Sequence, residues 1–384
     1  MAKLILSPES LKKLGIARLA TLLNDAAVAD KMLKQRLMYE LTARESPKTL
    51  AKDVARRLAA IAKPIGPIKM DKVMIMSTDL EIQHHAIVAL IAPVNAQAAF
   101  DLLWDFIALA DAIYRRAFIN IYSQLFCRAE EDLVKITAAL APEPAILVER
   151  VFIAVAERSE SHHQALIANM AASLGPAGLA ELKAKLTEWR GPKPPPPPNP
   201  NQRSLYYSQF HLDLRGKELR YQRGQKWLQQ VAIQTGDIDG FIALFDAGQR
   251  QTAAAAAEIA GLLRQAGRVE EALVALDAVD PKTRSFDCEN ERVLALESLG
   301  RTDEARGLRE TAFRTGLDAR HLRALIKSLP DFDDIDAEQA GIAHAMAFES
   351  VGSALQFLRE WQLPDRAAQL IETRASEIDG KDTP

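Results

Sequence analysis

Gln234-Thr235-Gly236-Asp237-Ile238-Asp239, Gln265-Ala266-Gly267-Arg268-Val269-Glu270 and Ser298-Leu299-Gly300-Arg301-Thr302-Asp303 are three versions of one phrase. Gly236 and Gly267 are 31 residues apart, and Gly267 and Gly300 are 33 apart. That is the period of helical hairpins, units that bury their apolar faces only by stacking on their neighbours. Around the middle copy, Ile259, Leu262, Leu263 and Ala266 sit at i, i+3, i+4 and i+7, and Val269, Ala272, Leu273 and Leu276 repeat the spacing after the turn. That period is helical. The glycine supplies the left-handed backbone that ends one helix, and the acidic residues after it suit the positive end of the next. The stretch predicts an all-α protein, an α-solenoid of stacked helical hairpins.

Moving toward the C-terminus, the third copy weakens as Arg306, Gly307 and Arg309 make its second helix more polar. His321–Leu329 is expected to be a short helix stopped by Pro330. Asp331–Asp336 is expected to be an acidic turn capping Ala337–Ala347, followed by a closing pair, Leu355–Trp361 and Pro364–Ala375. The acidic turn lacks the glycine and the oxygen ligands that a calcium loop places at fixed positions, so it reads as a solvated cap.

Moving toward the N-terminus, Arg203, Arg215, Lys217, Arg220, Arg223 and Lys226 alternate with Tyr206, Tyr207, Phe210, Tyr221 and Trp227. Cations interleaved with aromatics can neutralise phosphates and stack unpaired bases. The plainer reading has Tyr221 and Trp227 buried by the first repeat while the cations extend past them to solvent. Before this segment runs Gly191-Pro192-Lys193-Pro194-Pro195-Pro196-Pro197-Pro198-Asn199-Pro200. Consecutive prolines have no backbone donor and a fixed φ, so the run cannot continue a helix. As polyproline II, residues 192–200 would reach about 28 Å at ~3.1 Å per residue. The expected domains are therefore a helical array at 1–190, a linker at 191–202, a repeat domain at 203–379 and a frayed tail at 380–384.

Residues 1–190 also read as helices. Ser7-Pro8 and Ser46-Pro47 pair a capping hydroxyl with proline at the first helical position, and Asp30 can cap a helix between them. Leu11, Leu14, Leu19 and Leu22 follow Ser7 at helical spacing in one expected helix. Thr78-Asp79-Leu80-Glu81 has capping-box spacing and predicts a helix start. Ala99, Leu102, Leu103, Phe106 and Leu109 mark an amphipathic helix with Trp104 beside the stripe.

Composition narrows the function classes. Of 384 residues, 48% are hydrophobic and 26% charged, and the net charge is −3, so a sizeable core is available and a generic polycation or polyanion is excluded. The charge is uneven, with 15 Lys/Arg against 7 Asp/Glu in residues 1–72 and 24 against 30 in residues 191–384. Cys127 and Cys288 form neither a disulfide framework nor a zinc motif. The opening residues are too short to be the core of a signal peptide, and no apolar run spans a bilayer. A cytoplasmic location and no membrane partner are expected. His84-His85 and His162-His163 are adjacent pairs whose side chains diverge by about 100° on a helix, so neither makes an i, i+4 metal clamp. No phosphate loop, nucleophile elbow or zinc-protease motif is present, so no catalytic residue, metal or cofactor is expected.

The hairpins of the C-terminal part resemble tetratricopeptide repeats. Leu322-Arg323-Ala324-Leu325-Ile326-Lys327-Ser328-Leu329-Pro330-Asp331-Phe332-Asp333-Asp334, together with Leu6-Ser7-Pro8-Glu9-Ser10-Leu11, Ser46-Pro47 and Ala99-Phe100-Asp101-Leu102-Leu103-Trp104, resembles an uncharacterised bacterial helical family known only as a domain of unknown function. Arg115–Tyr122 departs from that pattern. The resemblance implies a helical-repeat fold and no established activity. The expected role is a non-enzymatic scaffold for protein–protein interaction, with a protein or peptide partner. The alternative is nucleic-acid binding through 203–227 and the basic N-terminal helices.

Overall fold

The computed structural model describes residues 7–64, 66–116, 120–156, 165–195, 207–330 and 333–377. Those residues are all-α and contain no strand. The chain divides into two compact units, Met1–Gly236 and Asp237–Pro384.

The first unit runs through α1 (Pro8–Lys12), α2 (Ile16–Ala29), α3 (Lys31–Glu45), α4 (Pro47–Ala62), α5 (Met70–His85), a π-helical turn (Ala86–Ile91), α6 (Ala96–Tyr114), α7 (Ser123–Leu140), α8 (Pro144–Ala156), α9 (Leu166–Arg190) and α10 (Tyr207–Thr235). The punctuation read from sequence is in place. Ser7 and Ser10 close a capping box around Pro8, Asp30 accepts from the amides of Met32 and Leu33 at 2.8 and 3.1 Å, and Ser46 accepts from Thr49. The helix expected from Ser7 through Leu22 is instead two, broken at Gly15.

Helix α6 is the centre of the unit and packs on α4, α7 and the π turn. Phe100, Leu103, Phe106 and Ile107 are wholly buried and Trp104 nearly so, so the helix is apolar around most of its circumference rather than along one stripe. Helix α10 packs along α9, across the proline run. The first unit ends at the Gly236 turn. Residues 196–206 lie outside the described residues.

Thr78–Glu81, expected to open a helix, lie inside α5 and start nothing. Asp79 is 1% exposed and receives hydrogen bonds from Arg57 on α4, Nε at 2.9 Å and Nη2 as well. The spacing of a capping box is also one turn of helix interior, and here a distant arginine decides which it is.

The second unit contains α11 (Ile238–Ala243), α12 (Ala247–Arg250), α13 (Ala253–Gln265), α14 (Val269–Asp277), α15 (Phe286–Ser298), α16 (Thr302–Gly316), α17 (Ala319–Ser328), α18 (Asp333–Met346), α19 (Val351–Glu360) and α20 (Pro364–Thr373). Each helix from α13 to α18 packs on the next, and α13 also packs on α15, and α15 on α17. Gly236, Gly267 and Gly300 have φ of 67°, 78° and 73°, the left-handed region the turn requires. After Gly267 and Gly300 the same fork recurs: Arg268 Nε donates to Glu271 at 2.8 Å and Arg301 Nε to Glu304 at 2.7 Å. Arg268 also reaches back to Asp239, beside the preceding turn, at 2.9 Å. Asp333, Asp334 and Asp336 form the first turn of α18 rather than a turn ahead of it, complementing its N-terminal dipole. Residues 331–332 and the tail at 380–384 lie outside the described residues.

Candidate functional site

The residues singled out in 203–227 separate into two groups. Arg215, Lys217 and Arg220 are exposed on α10. Trp227 is fully buried, and the Lys226 ammonium sits 5.7 Å from its ring. Tyr221 is half-buried beneath the Arg190 guanidinium, 5.2 Å away, and Arg223 Nη1 donates to the Ala156 carbonyl of α8 at 3.3 Å. Arg203 lies outside the described residues. The Tyr221 and Arg223 contacts run to α9 and α8, and α10 crosses α9 closely at Gly224, where a Cβ would stand 2.6 Å from the Arg190 Cβ. Burial withdraws Trp227 from any base-stacking platform and leaves three surface cations.

A more organised surface surrounds α3. Its inward side chain, Tyr39, is 9% exposed and donates to Gln83 Oε1 at 3.0 Å. Gln83 in turn donates to Asp79 Oδ1 at 3.0 Å, and Gln35 donates to the Tyr39 hydroxyl at 3.2 Å. With Arg57, this buried chain of bonds ties α3, α4 and α5 together and satisfies a carboxyl group that burial alone would leave unpartnered. It also fixes the rotation of each helix.

On α5 that rotation sends His84 and His85 in different directions. His84 Nε2 lies 3.1 Å from Asp132 of α7, near enough for an ion pair but not aligned for a hydrogen bond, and His85 Nε2 lies 3.4 Å from Glu40 of α3. The adjacent histidines thus brace the two flanking helices. Burial pushes the His84 imidazole below its ordinary pKa, with the Asp132 carboxylate working against that shift. Together with Arg36, Glu81 and Arg128 they line a cavity of about 490 Å³ beside the π turn. His162 and His163 lie outside the described residues.

On α3 the same rotation turns Lys34, Leu37, Leu41 and Arg44, at i, i+3, i+7 and i+10, onto the face opposite Tyr39. They meet a stripe on α2 made of Ala20, Leu23, Asn24, Ala27 and Val28, and between the helices lies an open cavity of about 470 Å³. Its apolar walls are largely uncovered: Val28 is 80% exposed, Leu41 58%, Met38 51% and Leu23 46%. Ile16, at the start of α2, is also exposed. Only Ala27 of α2 is buried. Sequence reasoning found these helices but not the groove. The available signal was a second apolar stripe on α3, with Leu37 and Leu41 on one side and Tyr39 on the other.

The fold and this surface define an all-helical protein with an uncovered apolar groove near its N-terminus. The chain matches the family of unknown function DUF6880 over residues 1–383 and belongs to that family. Among curated proteins and among solved structures, none matches it. No helix among the described residues is long and apolar enough to cross a membrane.

Proposed function

We propose that the protein is a non-enzymatic interaction scaffold that seats a helical segment of a partner protein in the groove between α2 and α3. The observation that carries this reading is the run of exposed Leu23, Val28, Met38 and Leu41 along one cavity. Contiguous apolar surface of this kind marks a binding site more often than scattered exposure does. A groove between two helices suits an amphipathic helix, whose i, i+3, i+4 and i+7 side chains fill it. Chemistry on the cysteines is disfavoured, because burial, with help from neighbouring carboxylates, pushes both the Cys127 and Cys288 thiols up and leaves them protonated at neutral pH.

Met38→Glu with Leu41→Glu tests the reading. Both positions already face solvent, so helix content and melting should be unchanged while partners recovered by cross-linking from native extract are lost. Recovery of the same partners by the double variant overturns it. Nucleic-acid binding through Arg215, Lys217 and Arg220 ranks second, since Trp227 offers no stacking face. It predicts binding of single-stranded RNA or DNA that weakens steeply with salt, and no mobility shift at about 50 mM salt sinks it.

A further inference from the structure

We infer that the occupant of the groove is an acidic amphipathic helix of about three turns, with two carboxylates spaced to meet Lys34 and Arg44. The inference rests on the groove being the docking surface and adds the chemistry of what docks there. Lys34 and Arg44 are exposed at opposite ends of the α3 wall, and neither forms an ion pair with a described residue. The carboxylate in the lining, Glu40, already faces the His85 imidazole at 3.4 Å. Lys34 and Arg44 thus put a cation at each end of the groove, with leucine, methionine and Glu40 between.

The geometry sets a ruler. Lys34 and Arg44 are ten residues apart on one helix, about 15 Å along its axis at ~1.5 Å per residue. Ala20 to Val28 on the opposite wall spans about 12 Å by the same measure. A helix lying in the groove with acidic groups ten or eleven residues apart would reach both cations while its apolar stripe covers Leu23, Val28 and Leu41. Charge complementarity also bears on occupants closer to hand. Residues 1–6 hold Lys3 and no carboxylate, and α2 of a second copy carries one arginine and one aspartate. Neither brings two acids to the two cations.

Selection of a displayed library of amphipathic 14-residue peptides on the full chain tests this, with Met38→Glu/Leu41→Glu as the groove control and Lys34→Glu/Arg44→Glu as the charge control. The expected result is enrichment of Asp or Glu at positions ten or eleven apart. Binding should be lost in the groove control and weakened about 2- to 5-fold for each reversed charge at low salt, the range of exposed ion pairs. Groove-dependent enrichment of neutral or basic peptides overturns the acidic occupant and leaves the groove standing. No groove-dependent enrichment removes both. A wild-type dimer that the groove control dissociates in sedimentation assigns the surface to a second copy and overturns the inference.

Discussion

Replacing Gly224 by alanine separates helix propensity from helix packing. In the interior of a helix, Gly→Ala gains about 1 kcal/mol from backbone entropy alone. Gly216 lies on the same helix with nothing within 4 Å of the place a Cβ would occupy, so Gly216→Ala should show that gain undiminished. At Gly224 the added Cβ would stand 2.6 Å from Arg190 Cβ, 2.7 Å from its Cγ and 3.3 Å from its Cα. These atoms are close to the α9 backbone and cannot swing away, so α10 must lift from α9. Overpacking of this kind costs about 1–3 kcal/mol. The prediction is that Gly224→Ala lies about 1–3 kcal/mol below Gly216→Ala, with the propensity gain common to both. Urea unfolding read by tryptophan fluorescence measures it, in a Trp361→Phe background so that the remaining tryptophans all report the first unit. The difference should appear in the transition midpoint at constant slope. If the two alanines are equally stabilising, the close crossing of α9 and α10 is wrong, and with it the assignment of α10 to the first unit.

Two further outcomes follow from burial. Trp227→Ala should cost about 3–5 kcal/mol, while Arg215→Ala should stay within about 0.5 kcal/mol. Thermal melts that rank them otherwise refute the division of the 203–227 segment into core and surface. His321 is 4% exposed against the Phe286 ring, 4.6 Å away, and burial lowers its pKa, with Arg309 and Arg320 adding to that and Asp318 opposing it. Below the ordinary value of 6.5 the unfolded chain binds the proton more readily than the folded one. The contribution of His321 to stability is thus full above that pH and lost as pH falls through the depressed folded value. Melting of the second unit between pH 7.5 and 5.5 should drop less steeply in His321→Phe, and equal slopes would refute the buried neutral imidazole.

Local signals carried a large part of the architecture. Ser7, Asp30 and Ser46 act as caps and Gly236, Gly267 and Gly300 as turns because each depends on a few neighbouring residues. Signals whose meaning is set by distant contacts were misread or missed. Asp79 takes its role from Arg57, 22 residues away, and α10 packs on a helix on the far side of the proline run. The groove eluded sequence reasoning for a different reason. Periodicity shows that α2 and α3 each have an apolar face, but not that those faces remain uncovered once the helices have packed.

The crossing at Gly224 also gives the proline run a different physical meaning. Tyr207 lies about 26 Å along α10 from Gly224 at ~1.5 Å per residue, and Gly224 abuts the end of α9 at Arg190. Residues 191–206 therefore tether two helices that must find each other. A freely jointed chain of that length could place its ends anywhere from contact to about 54 Å apart at ~3.4 Å per residue. Prolines thin out that ensemble before folding begins, so less chain entropy is lost when α10 docks. The run thereby lowers the entropic cost of bringing α9 and α10 together.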